Sequence, residues 1–374
     1  MLSLHITMRR RPSNRRFFFF ILAVTLIGFF IFSSASLGLL NRDGANYSRI
    51  VLNQLLILAV SLAAMIAVSH FDYRHLRRLA LPLFIIALAV SLLVFVPSLG
   101  FASGGAQRWI SIGSRTFQPS ELLKLALIIY LAAWFSRTKV QSGNWQYGLL
   151  PFFLIVGVTG VTLIAEPDLG TFFILIAAAM VMFFVAGGPW RHLFIILFLT
   201  LTVFGSVIAV KPYARERFLT FLNPTENLLT SSYQINQSLI AIGSGGLWGR
   251  GFGRSIQKFH YLPEPIGDSI FAVAGEEFGL IGGLFIIGIF VAFAVWGLSL
   301  ARRTTDRFGR GLVTGIVVLI STSAFVNIAS MLGLLPLTGI PLAFISHGGS
   351  SLLFSLIGCG IILNVSRHHS KSSI

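Results

Sequence analysis

The sequence predicts an all-α, polytopic membrane protein of about ten transmembrane helices with a large extracytoplasmic loop before the eighth, and three observations carry that prediction. The 374 residues are 55% hydrophobic and only 11% charged, with a mean hydropathy of +0.85, far outside the range of soluble domains. Apolar runs long enough to cross a bilayer recur along the whole chain. The connections between them alternate in basic character, as the positive-inside rule requires.

Crossing the hydrocarbon core takes about 20 apolar residues, and every backbone polar group there must be satisfied within the segment, so each run reads as a helix. The first run, 17–40, follows Arg9, Arg10, Arg11, Arg15 and Arg16 and has no persuasive cleavage site, so it is a retained span and not a signal peptide. Runs 50–69 and 79–99 flank Arg74, Arg77 and Arg78, and 118–136 ends before Arg137 and Lys139. EPDLG separates 148–166 from 170–187, and Arg191 precedes 192–210. Run 268–300 is followed by Arg302, Arg303, Arg307 and Arg310, then 311–333, and 350–366 leads into Arg367 and Lys371.

These basic groups share one side, which the rule makes cytoplasmic, together with both termini. The opposite side receives Arg42, Arg49, a glycine-rich loop around 100–117 and the long segment 211–267. With no internal repeat and no water-soluble domain, 1–374 reads as a single integral membrane domain. It has a basic tail at 1–16, the large loop at 211–267 and a second cytoplasmic tail at 367–374. The loop is too rich in Gly, aromatic and apolar residues for simple disorder and is expected to pack on the outer membrane surface.

Several function classes fall away. The net charge of +16 is spread in short groups between spans and forms no nucleic-acid patch. The single cysteine, Cys359, lies inside the last apolar run, which excludes a disulfide framework and a cysteine metal site. GSGGLWGRGFG sits in no strand–turn–helix unit and no Walker A pattern occurs, so the glycines read as tight turns and close helix contacts. No His, Asp and Glu set has metal-ligand spacing. A divalent cation would have to be shared with substrate phosphates.

Apart from the cytoplasmic clusters, the ionisable residues gather at the outer ends of helices and in the outer loops. GGAQRWISIGSRTFQPSELLK carries Arg108, Arg115, Glu121 and Lys124, and AEPDLGT carries Glu166 and Asp168. The long loop adds Lys211, Arg215, Arg217, Arg250, Arg254, Lys258, Glu264 and Asp268. Pro119 and Glu121 suit the first turn of a helix. Lys124, three residues on, is either the intrahelical partner of Glu121 or a cation held ready for phosphate. Asp268 is either a helix cap or a carboxylate whose partial burial fits it for general-base work. Glu276 and Glu277, inside the 268–300 run, line a polar pocket or hold helices together. His347 in PLAFISHGGSS reads as a hydrogen-bonding group.

Set side by side, these stretches resemble the RodA/FtsW (SEDS) family of peptidoglycan polymerases over nearly the whole chain. GAQRW at 105–109 and QPSELLK at 118–124 are similar to its first outer-loop motif, and EPDLGT at 166–171 to its second. YQINQSLIAIGSGGLWGRGFG at 233–253, LPE at 262–264 and DSIFAVAGEE at 268–277 resemble its catalytic loop, and GLLPLTGIPLAFISHGGSSL at 333–352 the motif before the last span. Ile266 and Gly267 stand where the family commonly has His-Thr, and Ala343 and His347 where it has Pro and Tyr. The TGIP-type motif and GDSIFAV look closer to FtsW division proteins than to RodA elongation proteins.

The resemblance implies polymerisation of lipid II at the outer face of the cytoplasmic membrane, with a class B penicillin-binding transpeptidase and other division or elongation membrane proteins as partners. It implies that Asp268 is the essential loop aspartate and that Arg108, Glu121, Lys124, Asp168 and Arg217 line the outer cavity. Mg²⁺ or Mn²⁺ with the substrate pyrophosphate is the one cofactor it admits. The rival readings are a lipid II flippase, which Glu276 and Glu277 would suit, and a division scaffold without chemistry. The charges favour the enzyme because they gather towards one face and not near the bilayer midplane.

Overall fold

The computed structural model describes residues 13–40, 47–103, 106–113, 115–138, 144–146, 148–224 and 232–369. Arg9, Arg10, Arg11, Arg42, Lys139 and Lys371 lie outside the described residues. The apolar runs form α1 (Ser13–Ser36), α2 (Tyr47–His70), α3 (Arg74–Leu92), α4 (Pro119–Arg137), α5 (Leu149–Ala165), α6 (Leu169–Val185) and α7 (Trp190–Val210). Segment 211–267 carries α8 (Pro212–Leu222), α9 (Tyr233–Ser244) and the single turn α10 (Gln257–His260). The bundle closes with α11 (Ile270–Arg303), α12 (Arg307–Met331) and α13 (Gly349–His369). Among the described residues eight helices are long and apolar enough to span a membrane, and α5 and α6 are shorter apolar helices. The chain is a multi-pass membrane protein.

Local signals set the helix boundaries. Pro119 starts α4 at a position where a missing amide hydrogen costs nothing. Asp168 caps α6 by accepting from the Thr171 amide at 3.3 Å, and Asp306 caps α12 through the Gly309 amide at 2.9 Å. α12 is the hub, packed on α4, α6, α11 and α13. It is mostly buried, as is α4, whereas α7 is almost wholly exposed on its apolar faces. A helix clad in Leu and Phe on all sides is stable only where lipid is the solvent.

Two features depart from the sequence reading. The glycine-rich loop around 100–117 folds as an antiparallel three-stranded meander, β1 (Gly100–Ser103), β2 (Ala106–Ile112) and β3 (Arg115–Phe117), in which Phe101 faces Trp109 and Ile110 faces Phe117. Its strands are three to seven residues long, and short segments of this kind leave no helical periodicity to read.

The eighth span is also broken. α11 runs 34 residues, roughly 50 Å if straight, against a hydrocarbon core of about 30 Å. Gly279, at φ 65° and ψ −163°, interrupts it. The glycine-rich turn after α9 repairs the interruption from outside. The amides of Arg250 and Gly251 donate to the carbonyls of Glu276 and Glu277 at 3.0 and 2.9 Å, and the amides of Leu280 and Ile281 donate to Gly246 and Leu247 at 2.9 and 3.3 Å. A break in a helix is tolerated at this depth because neighbouring backbone supplies the lost partners.

Two rulers place the first segment of α11. Along α1, Arg16 to Ser34 is roughly 27 Å, and along α12, Arg307 to Asn327 is roughly 30 Å. Ser34 bonds Glu277 and Asn327 bonds the Asp268 carbonyl. Residues 270–278 therefore run along the end of the bundle opposite the arginine-rich turns, and Asp268 sits at that end.

Candidate active site

Asp268 lies in the turn just before α11, in backbone fixed from three sides. Asn327 of α12 donates to the Asp268 carbonyl at 2.8 Å and to the Ile340 carbonyl at 2.7 Å, tying the turn to the 333–348 loop. Ser346 donates to the Gly267 carbonyl at 2.6 Å, and the His347 amide to the Ile266 carbonyl at 2.7 Å. Asp268 is not the helix cap: Ser269 holds that position, and the Asp268 side chain instead accepts from Gln234 Nε2 of α9 at 3.1 Å. Burial pushes its carboxyl up to about 6 and Glu264 adds to the rise, while the Gln234 hydrogen bond and the Arg217 charge pull the other way.

Cations face this acid. A Cβ at Gly339, φ +69°, would meet Arg108 Nη1 at 3.9 Å and Asp268 Oδ2 at 4.0 Å, so the guanidinium and the carboxylate flank one glycine. Arg108 reaches in from β2. It pairs with Asp168 at 3.8 Å, donates through Nε to the Glu166 carbonyl at 3.3 Å and through Nη2 to the Pro167 carbonyl. Arg217 of α8 donates to the Leu337 and Thr338 carbonyls at 3.3 and 3.4 Å. Burial lowers its pKa and the Arg108 charge lowers it further, while Asp168, Asp268 and Tyr213 oppose that. Arg108, Asp168, Arg217 and Asp268 thus form one electrostatic group.

Within and beside that group, several buried atoms have no partner among the described residues. Both carboxylate oxygens of Glu166, Asp168 Oδ2 and Tyr213 Oη are buried without a hydrogen bond. Burial, with the neighbouring Asp168, raises the Glu166 carboxyl to about 8, against the pull of Arg108. Buried polar atoms left unpaired are costly, and their concentration beside two guanidinium groups is a feature of functional sites.

Glu121 and Lys124 are a separate pair. They meet on α4 at 2.8 Å, both buried. Among the described residues no hydrogen bond or ion pair ties them to Asp268, Arg108, Asp168 or Arg217, so the intrahelical reading accounts for their contact. Glu276 and Glu277 are bracing. Glu276 accepts from Ser255 Oγ at 2.6 Å and from the Ile256 and Gln257 amides at 2.9 and 3.2 Å, and pairs with Arg250 at 3.5 Å. Glu277 pairs with the buried Lys258 at 2.6 Å and accepts from Ser34 Oγ. His347 bonds Gln54 at 3.1 Å and stacks on Phe32.

Gln234, Asn327, Gly339 and Tyr213 were not singled out in the sequence. Asn327 carried a usable signal, since an amide in the middle of the 311–333 apolar run needs a reason to be there. Gly339 gave none, because only the fold brings it between Arg108 and Asp268.

Residues 14–371 match the family model described as cell cycle protein, of the FtsW, RodA and SpoVE type. Stage V sporulation protein E of Bacillus subtilis is 38% identical over 315 residues, covering 84% of this chain and 86% of the relative. The probable peptidoglycan glycosyltransferase FtsW of Geobacter metallireducens is 40% identical over 304 residues, 81% of each chain. Among solved structures, a chain of a peptidoglycan synthase complex studied for the coordination of polymerization and crosslinking superposes with a TM-score of 0.77 at 28% identity, covering 96% and 98% of the two chains. The Thermus thermophilus rod shape determining protein RodA gives 0.69 at 27% identity, covering 95% and 96%. The chain belongs to the FtsW/RodA/SpoVE family of cell cycle proteins.

Proposed function

We propose that this peptidoglycan glycosyltransferase polymerises lipid II at the outer face of the cytoplasmic membrane, with Asp268 as general base and both termini in the cytoplasm. The reading rests above all on one observation: the Asp268 carboxyl, raised to about 6, and the Arg108 guanidinium both come within 4.0 Å of one point beside Gly339. Outside the cell no nucleotide is supplied, so the polymer must grow from donors activated before export. A sugar on a lipid pyrophosphate is such a donor. Asp268 takes the proton from the 4-hydroxyl of the acceptor GlcNAc as that oxygen bonds to the donor's anomeric carbon. The bond from that carbon to the lipid pyrophosphate breaks with inversion, and the pyrophosphate leaves with the electron pair.

Negative charge therefore grows on phosphate, and Arg108 and Arg217 are placed to receive it. In a poorly hydrated cleft fixed guanidinium groups stabilise such charge better than water does. Asp168 keeps Arg108 aligned. Lys124 is held by Glu121 within α4 and is left out of this group. A divalent cation, Mg²⁺ or Mn²⁺, fits only as an ion shared with the pyrophosphate. Among the described residues no three potential ligands cluster, while Glu166 and Asp168 offer unpartnered hard oxygens. A class B penicillin-binding transpeptidase is the proposed partner that crosslinks the product, within the division machinery.

The flippase reading loses its main support because Glu276 and Glu277 are consumed in bracing the α11 break. The test is reconstitution of purified protein with a class B partner and labelled lipid II. Wild type should give glycan strands and Asp268→Asn none. Equal product from both would reject Asp268 as the base, and lipid II transfer between leaflets without polymer would favour the flippase.

A further inference from the structure

The glycine-rich turn that completes α11 carries the most exposed large apolar side chain among the described residues, Trp248 at 80%, next to Leu247 at 62%. These side chains do not extend from a loose loop. Glycines with positive φ at 246, 249, 251 and 253 shape the turn, and its hydrogen bonds to residues 276, 277, 280 and 281 hold it against α11. The backbone contact is so close that a Cβ at Gly249 would collide with the Glu277 carbonyl.

The depth of this rigid tip follows from the same bonds. The Ile281 amide donates to the Leu247 carbonyl, and counting back from Arg302 to Leu280 gives roughly 33 Å of helix. Arg16 to Ser34 gives roughly 27 Å on α1, and Ser34 accepts from the Gly253 amide on the same turn. Two independent helices thus place Leu247 and Trp248 where a hydrocarbon core of about 30 Å ends. Their apolar surface continues into the outward-facing Leu280, Ile281, Leu284 and Phe285 of α11. The turn holds two arginines and no acidic residue between 245 and 254. Arg250 and Arg254 are both exposed, and Arg250 meets Glu276 through Nε at 3.5 Å.

We propose that turn 245–254 is an interfacial lipid-binding element, in which Leu247 and Trp248 seat among the first acyl carbons of the adjacent leaflet while Arg250 and Arg254 engage anionic phospholipid headgroups. Indole favours that boundary because its ring is apolar and its N–H finds headgroup acceptors, and guanidinium favours phosphate there. The element fixes the height of the α11 break above the bilayer. Through residues 270–278 it fixes the height of Asp268.

The test uses the full chain in nanodiscs and needs no enzymatic readout. With Trp109, Trp134, Trp145, Trp190 and Trp296 replaced by Phe, Trp248 emission should lose most of its intensity to lipids brominated near the glycerol end of the acyl chain, and little to lipids brominated near its terminus. Iodide in the buffer should quench it weakly. Brominated phosphatidylglycerol should quench more than an equal fraction of brominated phosphatidylcholine, and Arg254→Gln, which leaves the Arg250–Glu276 pair intact, should shrink that difference. Should five replacements prevent folding, Trp248→Cys with a nitroxide label needs one, because Cys359 is buried. Its label should then be more accessible to oxygen than to an aqueous nickel complex. Insensitivity to either bromine position overturns the proposal, whether iodide quenches freely, meaning the tip is in water, or not at all, meaning protein covers it. Equal quenching by the two brominated headgroups overturns the arginine contact.

Discussion

Two acidic centres lie at the same end of the bundle, a buried one within α11 and a half-buried one in the turn before it, and they differ in how completely they are satisfied. At Glu276 and Glu277 every contact is closed: two hydroxyls, two amides, an ammonium and a guanidinium meet two carboxylates. Nine residues before Glu277, Asp268 has, among the described residues, Gln234 as its one side-chain donor, and around Arg108 and Arg217 the side chains of Glu166, Asp168 and Tyr213 keep unpartnered atoms. The first centre has spent its hydrogen-bonding capacity on holding the chain together. The second keeps capacity in reserve, at a cost in stability, and that reserve is what a substrate can use.

If that contrast is right, substitutions in the two centres should fail differently. The largest effect is expected from Asp268→Asn, which keeps the side-chain shape but removes the base. Polymerisation should fall about 10²–10⁴-fold in the reconstituted assay, with thermal stability unchanged. A matching fall in stability would place Asp268 with the bracing group instead. Lys258→Met should do the reverse, leaving Glu277 an uncompensated buried charge at about 3–5 kcal/mol, read as lost cooperative unfolding in detergent. Lys258→Met with Glu277→Leu should recover much of that stability, because an apolar pair removes both desolvated charges.

Smaller effects sharpen the picture of the reserve. Arg108→Gln and Arg217→Gln should each lower turnover by about 10–100-fold, the worth of a charge-assisted hydrogen bond, and more in kcat than in KM if the charge they meet develops on the leaving group. A further effect is on stability against pH. The Glu166 carboxyl is raised from 4.5 to about 8, so the folded protein binds more protons than the unfolded chain between those values. Stability conferred by its protonated form is therefore complete below about 4.5 and is lost as pH rises through about 8. Glu166→Gln should flatten that slope, measured by thermal unfolding at several pH values.

The helices were legible in the sequence because a bilayer leaves few alternatives for a long apolar run. The site was legible in part. Arg108, Asp168, Arg217 and Asp268 could be picked out because they match positions in the family's motifs, and the fold does bring them together. Glu121 and Lys124 could be picked out for the same reason, yet the fold pairs them with each other. What the sequence concealed depended on contacts across distance. Gly279 is one of three glycines in EEFGLIGG, and only the turn at 246–251 reveals it as the one that breaks the helix. Short strands around Trp109 and the placement of Gly339 between two charged groups were hidden for the same reason.

The most direct test of Asp268 as the base is the pH dependence of polymerisation in wild type and Gln234→Ala. The wild-type rate should climb with pH along a limb centred near 6, as the carboxyl loses its proton. Gln234→Ala removes a hydrogen bond that favours the charged carboxylate, so its limb should move to higher pH. A limb that is absent, or that stays in place when Gln234 is removed, would contradict the assignment.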